Sequence, residues 1–234
     1  MPPWVEVRGD KREPHGGDGA YGLPLMKFTL LYDGELKSNG RPRDKWKIRN
    51  QVSPQLEELW GTHPVLIQIL RQRLIEPNRI IVTEVHHSVA DNFPPPAPRR
   101  VGYIDLCEDI NVGGKKFRPL IRNSFALRCG LKITFLRKEE PGHLRNVEGD
   151  LDNRLKTALD GLAIPNIDQI GESDQSGKVT FCLLENDSLI SGLSVETGRL
   201  LTRPASSKLE VRLIIEVDVR VAEARVYNAL FLGD

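Results

Sequence analysis

Residues 150–163, DLDNRLKTALDGLA, constrain the fold more than any other part of this chain. Leu151, Leu155, Leu159 and Leu162 recur at i, i+4, i+8 and i+11, the spacing of one buried stripe on an α-helix. Pro165 just beyond marks its stop. Further on, residues 209–219, LEVRLIIEVDV, alternate apolar and charged side chains with the two-residue period of a strand that has one wet face. A helix with one apolar stripe and a strand with one apolar face must bury them against each other. The sequence therefore predicts a mixed α/β (α+β) protein, a mixed sheet packed with helices in one domain spanning 24–234.

The remaining pattern fills in that frame. Residues 25–32, LMKFTLLY, predict a first core strand. Residues 34–50 predict a basic, turn-rich loop, with Lys37, Arg41, Arg43, Lys45, Lys47 and Arg49 against only Glu35 and Asp44, and Trp46 among them. Ser53-Pro54 signals a helix start before the stripe Leu56, Leu59, Trp60, and His63-Pro64 repeats the signal before Val65, Leu66, Ile69, Leu70 and Leu74. Strands are expected within 79–88, 103–107, 117–120, 125–136, 179–184 and 184–198, and a loop over 166–178. Residues 1–23, rich in Gly, Pro and charge, read as a flexible arm. The stretch around 75–116, with its PPPAP run at 94–98, reads as an insertion.

Several classes of protein are disfavoured. Of the 234 residues 39% are hydrophobic and 28% charged, and no stretch has the apolar length to span a bilayer, so no membrane partner is expected. Nothing resembles an export signal, which leaves a cytoplasmic location as the expectation. Cys107, Cys129 and Cys182 are odd in number, far apart and in apolar neighbourhoods, and read as core residues rather than disulfides or a zinc cluster. His86 and His87 would point to opposite faces of a strand and cannot chelate one metal. No phosphate-binding glycine loop, nucleophile elbow, H-E-x-x-H or CxxC pair is present. The net charge of +1 hides strong clustering: besides the 37–49 cluster, eight Lys or Arg and no acid lie between Lys115 and Lys138. Arg137 and Lys138 join that cluster as candidate phosphate contacts. Trp46 could stack on a base or, the commoner role, anchor its loop to the core.

The acidic residues suggest chemistry. Asp150 and Asp152 open the helix, Lys156 follows Asp152 by one turn, and Asp160 follows Lys156 by another. Converging carboxylates suit a hard cation such as magnesium. Aspartates also cap helices, and Lys156 with Asp160 could be an ordinary surface pair, so both interpretations stand on this segment alone.

The downstream segment adds specificity. A DLDN-x-x-K-x-x-x-D helix formed by Asp150, Asp152, Asn153, Lys156 and Asp160, followed by Asp187, Ser188 and Ile190 leading into a strand, resembles the RusA family of Holliday-junction resolvases over roughly 130–217, and more loosely over 25–60. The resemblance implies a RusA-like nuclease fold. It implies that Asp150, Asp152 and Asp187 bind a catalytic Mg2+ while Lys156 assists, and that a homodimer nicks branched DNA, the four-way junction, in recombination and repair. Asn186 departs from the family, which has an aspartate there. That departure keeps a second interpretation in view, a DNA-binding protein of this fold with weakened or lost catalysis. A third is a nuclease for other branched nucleic acids.

Overall fold

The computed structural model describes residues 26–75, 80–82, 102–104, 108–138, 151–170, 177–201, 209–224, 228 and 231. The expected arm at 1–23, His86, His87, Cys107, the PPPAP run and Asp150 lie outside them. Along the chain come β1 (Met26–Glu35), α1 (Pro42–Thr62), α2 (Pro64–Ile75), β2 (Ile80–Val82), β3 (Gly102–Ile104), β4 (Ile110–Val112), β5 (Lys115–Ile121), β6 (Leu127–Arg137), α3 (Leu151–Leu162), β7 (Thr180–Leu184), β8 (Ile190–Arg199) and β9 (Glu210–Val221). The mixed α/β (α+β) class read from the sequence is the observed one.

The main sheet has the order β1-β9-β6-β8, with β8 parallel to β6 and the other pairs antiparallel. Its period-two pattern explains its placement. Val211, Leu213, Ile215, Val217 and Val219 of β9 are buried, as are Leu127, Cys129, Leu131, Ile133 and Phe135 of β6. The opposite face carries cross-strand charges, Lys27 with Asp218 and Lys132 with Glu196 and Glu216. One face thus supplies the core and the other is wetted.

Helix α1 differs from expectation. It begins at Pro42, inside the expected basic loop, and runs unbroken through Ser53-Pro54. Asp44, Ile48, Val52, Leu56 and Trp60 form a buried row at four-residue spacing, so the stripe starts three turns before the apolar residues that announce it. The Asp44 carboxylate accepts from the Arg41 N–H at 3.1 Å, which caps the new start. Ser53 instead ties α1 to β7, its Oγ accepting from Phe181 N at 2.9 Å. Two glutamines of α1 close the outer edge of β1: Gln55 bonds both backbone groups of Leu31, and Gln51 both of Asp33. The exposed ladder edge is thereby satisfied by side chains.

A second sheet, β4-β5-β7, pairs β5 in parallel with β7. The β4–β5 hairpin turns through Gly113 and Gly114, at φ +56° and +82°, the left-handed pair that a type I′ turn requires. Residues 110–116, expected to belong to an insertion, are therefore part of a core-bearing sheet. Strands β2 and β3 form a separate antiparallel pair. Cys129 and Cys182 are buried as expected, and burial pushes both thiols up to about 12. Among the described residues no helix is long and apolar enough to cross a membrane.

Candidate functional site

Helix α3 forms where the leucine stripe predicts it, but it is rotated. Leu151, Leu155 and Leu159 are half-buried, while Arg154, Thr157, Ala158, Gly161 and Leu162 face inward. Small residues at that interface let α1 and α3 approach closely. A Cβ on Gly161 would stand 2.8 Å from Ile48 Cβ. The rotation leaves Asp152 and Lys156 exposed one turn apart on the outer edge of α3.

The aspartates separate into two groups. Asp33, Asp109, Asp160 and Asp218 are ion-paired, and Asp44 caps α1. Asp152, Asp168 and Asp187 remain exposed without an ion-pair partner among the described residues. Asp168 carried no signal in the sequence, being one of three scattered acids in the polar segment 166–178. Asp160 does not pair with Lys156 on its own helix; Lys45 of α1 reaches it at 2.7 Å.

Asp187 opens a short 3-10 turn between β7 and β8. Asn186 caps that turn: its Oδ1 accepts from Ser188 N at 3.1 Å and from the Ser188 hydroxyl. The Asn186 amide oxygen is thus already occupied by two donors. One backbone bridge links the segments that carry Asp152 and Asp187. Ala163, just past the C-terminal end of α3, bridges to Leu184, three residues before Asp187. Asp152 lies eleven residues before Ala163, a helical rise of about 16 Å. The intervening Glu185 binds β5 and its exit, its N–H donating to Ile121 O and its carboxylate accepting from Asn123 N. Among the described residues no three His, Cys, Asp or Glu side chains cluster to hold a metal, and Asp150, the third carboxylate of the set, lies outside them. Asp152 and Asp187 fit a hard cation by donor type and by exposure.

The basic residues divide sharply. Arg41 and Arg43 are exposed at the start of α1 and Lys37 is half-buried before it, all three without an ion pair among the described residues. Lys47 is exposed beside Glu35 at 3.9 Å. Lys45 is committed to Asp160. Arg49, expected to meet DNA, is 1% exposed and structural instead. Its guanidinium donates to Ala163 O through Nε at 3.2 Å and Nη2 at 2.9 Å, and to Asp160 O at 2.9 Å, satisfying carbonyls at the C-terminal end of α3. It also lies 4.7 Å from the Trp46 ring. Arg137, likewise expected at the surface, is 4% exposed, because it ends the inward-facing row of β6. Lys138 pairs with Glu210 at 3.4 Å. Trp46 takes the anchoring role, donating to Gln169 O at 2.8 Å and packing on Phe117.

Besides the Lys45 and Arg49 contacts with Asp160, a further bond joins the basic and acidic parts. Gly40 N–H donates to Thr157 Oγ1 at 2.9 Å, and Thr157 in turn donates to Asn153 O at 3.0 Å. This ties the segment before Arg41 to the helix carrying Asp152 and Lys156. A Cβ at Gly40 would collide with Thr157 Cγ2. Gly40→Ala is therefore expected to cost about 1–3 kcal/mol of stability in urea unfolding. An unchanged midpoint would show that the segment is not held against α3.

No protein-family model, curated protein or solved structure matches this chain.

Proposed function

We propose that this protein is a magnesium-dependent, structure-selective DNA endonuclease that resolves four-way junctions in the cytoplasm, as its resemblance to the RusA family implies. The observation that carries this proposal is the exposed edge of α3. Asp152 and Lys156 stand there one turn apart, and Gly40 with Thr157 holds Arg41 and Arg43 to the same helix. Arginine and lysine with no ion pair among the described residues, on segments tied to the helix that carries Asp152, suit a polyanion that reaches a metal-assisted centre.

In the proposed mechanism Asp150, Asp152 and Asp187 would hold the cation, as the family resemblance implies. Bound there, magnesium would neutralise charge on the scissile phosphate and lower the pKa of a water nucleophile. Lys156 places a further positive charge beside Asp152, where charge develops in the transition state. Arg41 and Arg43 contact flanking phosphates and offset the repulsion between DNA and the carboxylates. Arg49, Lys45 and Lys138, through the contacts described above, and Arg137, which is buried, support the fold around these groups and are not assigned to DNA.

One observation favours a second interpretation, a DNA-binding protein of weakened catalysis. Asn186 supplies no charge where the family has an aspartate, and its oxygen serves as a cap. An aspartate at this position could accept the same two bonds, so Asn186→Asp adds charge without disturbing the turn.

The binding half is tested by Arg41→Gln with Arg43→Gln. Both side chains are exposed, so the fold should be unaffected. Junction affinity is expected to fall about 10-fold or more, and the slope of log affinity against log salt to shrink by about 1–2. Unchanged affinity and slope would contradict the proposal.

A further inference from the structure

The main sheet ends differently on its two sides. At β1 the outermost strand is closed by Gln51 and Gln55 of α1. At the other side β8 pairs, among the described strands, with β6 alone, and Ser191, Gly192, Leu193 and Ser194 are all exposed. Proteins ordinarily blunt such an edge with prolines, several charges, bulges or a covering element. These ten residues, ISGLSVETGR, contain no proline and only Glu196 and Arg199 as charges. A bulge at Ser191 lies at their start, and from Gly192 to Arg199 the register with β6 is regular, which leaves the edge around Ser194 open.

The inner face of β8 is also left short of cover. Leu193 stands in register with Leu131, Val195 with Ile133 and Thr197 with Phe135. Those β6 partners are buried, whereas Leu193, which continues their row, is 45% exposed. The apolar layer of the sheet thus runs out onto an open strand. Its natural complement is another strand with apolar residues at the same level.

A second copy of β8 meets both requirements. Read antiparallel to itself about Ser194, the strand sets Leu193 opposite Val195 and Val195 opposite Leu193, with Gly192 opposite Glu196 and Ser194 opposite Ser194. Paired residues share the same parity, so the core-facing row of one copy continues into that of the other, and no like charges face each other. We propose that two copies of this chain pair through β8 about a two-fold axis at Ser194, joining the two main sheets into one of eight strands. The contact is isologous and closes on itself, so it gives a dimer and not a filament. It rests on strand topology and not on the nuclease proposal. Under that proposal it would place two copies of the site under one two-fold axis.

The test combines association with register. Sedimentation of the whole chain from about 1 to about 100 µM, the range suited to an interface of modest size, is expected to show a monomer–dimer equilibrium. Leu193→Glu, at a half-exposed position, is expected to weaken the dimer about 10-fold or more by placing a charge in the apolar row, with its melting temperature confirming a retained fold. Under mild oxidation Ser194→Cys is expected to give a 194–194 cross-link, identified in peptides, that the same treatment of Thr197→Cys does not give at 197. A monomer at every concentration would overturn the proposal. So would a dimer indifferent to Leu193→Glu, or cross-linking equal at 194 and 197. Junction cleavage plays no part in these readouts, so failure here and failure of the nuclease proposal are separable.

Discussion

Asp187→Asn is expected to abolish magnesium-dependent nicking of a four-way junction, by on the order of 100-fold or more, while leaving junction affinity within about two-fold. Asp187 is exposed at the first position of its 3-10 turn, and Asn186 rather than Asp187 provides the cap. The amide is nearly isosteric with the carboxylate, so the fold has no reason to respond. What changes is one negative charge at a proposed cation ligand, which a neutral oxygen replaces poorly. Phosphate contacts by Arg41 and Arg43 lie on other segments and should persist. The measurement is initial nicking rate beside equilibrium binding in the same buffer. Equal loss of both would count against a metal-ligand role.

The second large effect is on stability. Arg49→Ala is expected to destabilise the fold by about 3 kcal/mol, read as the urea midpoint at unchanged slope. Arg49 is buried, and burial lowers its pKa from the usual guanidinium value, partly offset by Cys182 and Asp160. It satisfies Asp160 O and Ala163 O where α3 ends and packs on the Trp46 ring. Truncation strands those carbonyls away from water and opens a cavity between α1 and α3. Arg49→Lys should recover little of the loss, since a single ammonium cannot reproduce the fork that reaches both carbonyls. Affinity per folded molecule should be unchanged for DNA. A stable Arg49→Ala protein that has lost DNA binding would restore Arg49 to the surface role its neighbours suggested.

Arg49 also shows where sequence reasoning stops. A lysine and arginine cluster over 37–49 reads as a solvated loop because nothing local distinguishes an arginine that will cap a helix more than a hundred residues away. The start of α1 was hidden for a related reason. Its buried row begins with Asp44, a charged residue, and only Ile48 and Val52 in that row precede the apolar residues that are conspicuous. Elements whose signal is local were legible: β1, β9 and α3 appear within a few residues of their expected limits. The turn at Gly113-Gly114 was equally local, and treating 75–116 as one insertion passed over it. Rotation of α3 was not legible, because the small residues Ala158 and Gly161 matter only once Ile48 is packed against them.

The candidate site was legible to the same degree. Asp152 and Lys156 share an edge because four residues on a helix always do. Their relation to Asp187 depends on the bridge between Ala163 and Leu184 and on the path of Glu185, which are long-range pairings with no sequence signature. Asn186 was visible as a departure from the family, but its occupation by Ser188 was not.

The most direct test of the nuclease account is cleavage of a labelled four-way junction against a linear duplex of the same sequence, with magnesium and with chelator. The account predicts paired nicks confined to the junction, dependent on magnesium and absent from the duplex. Tight binding of the junction with no nicks in magnesium, unrelieved by Asn186→Asp, would contradict it.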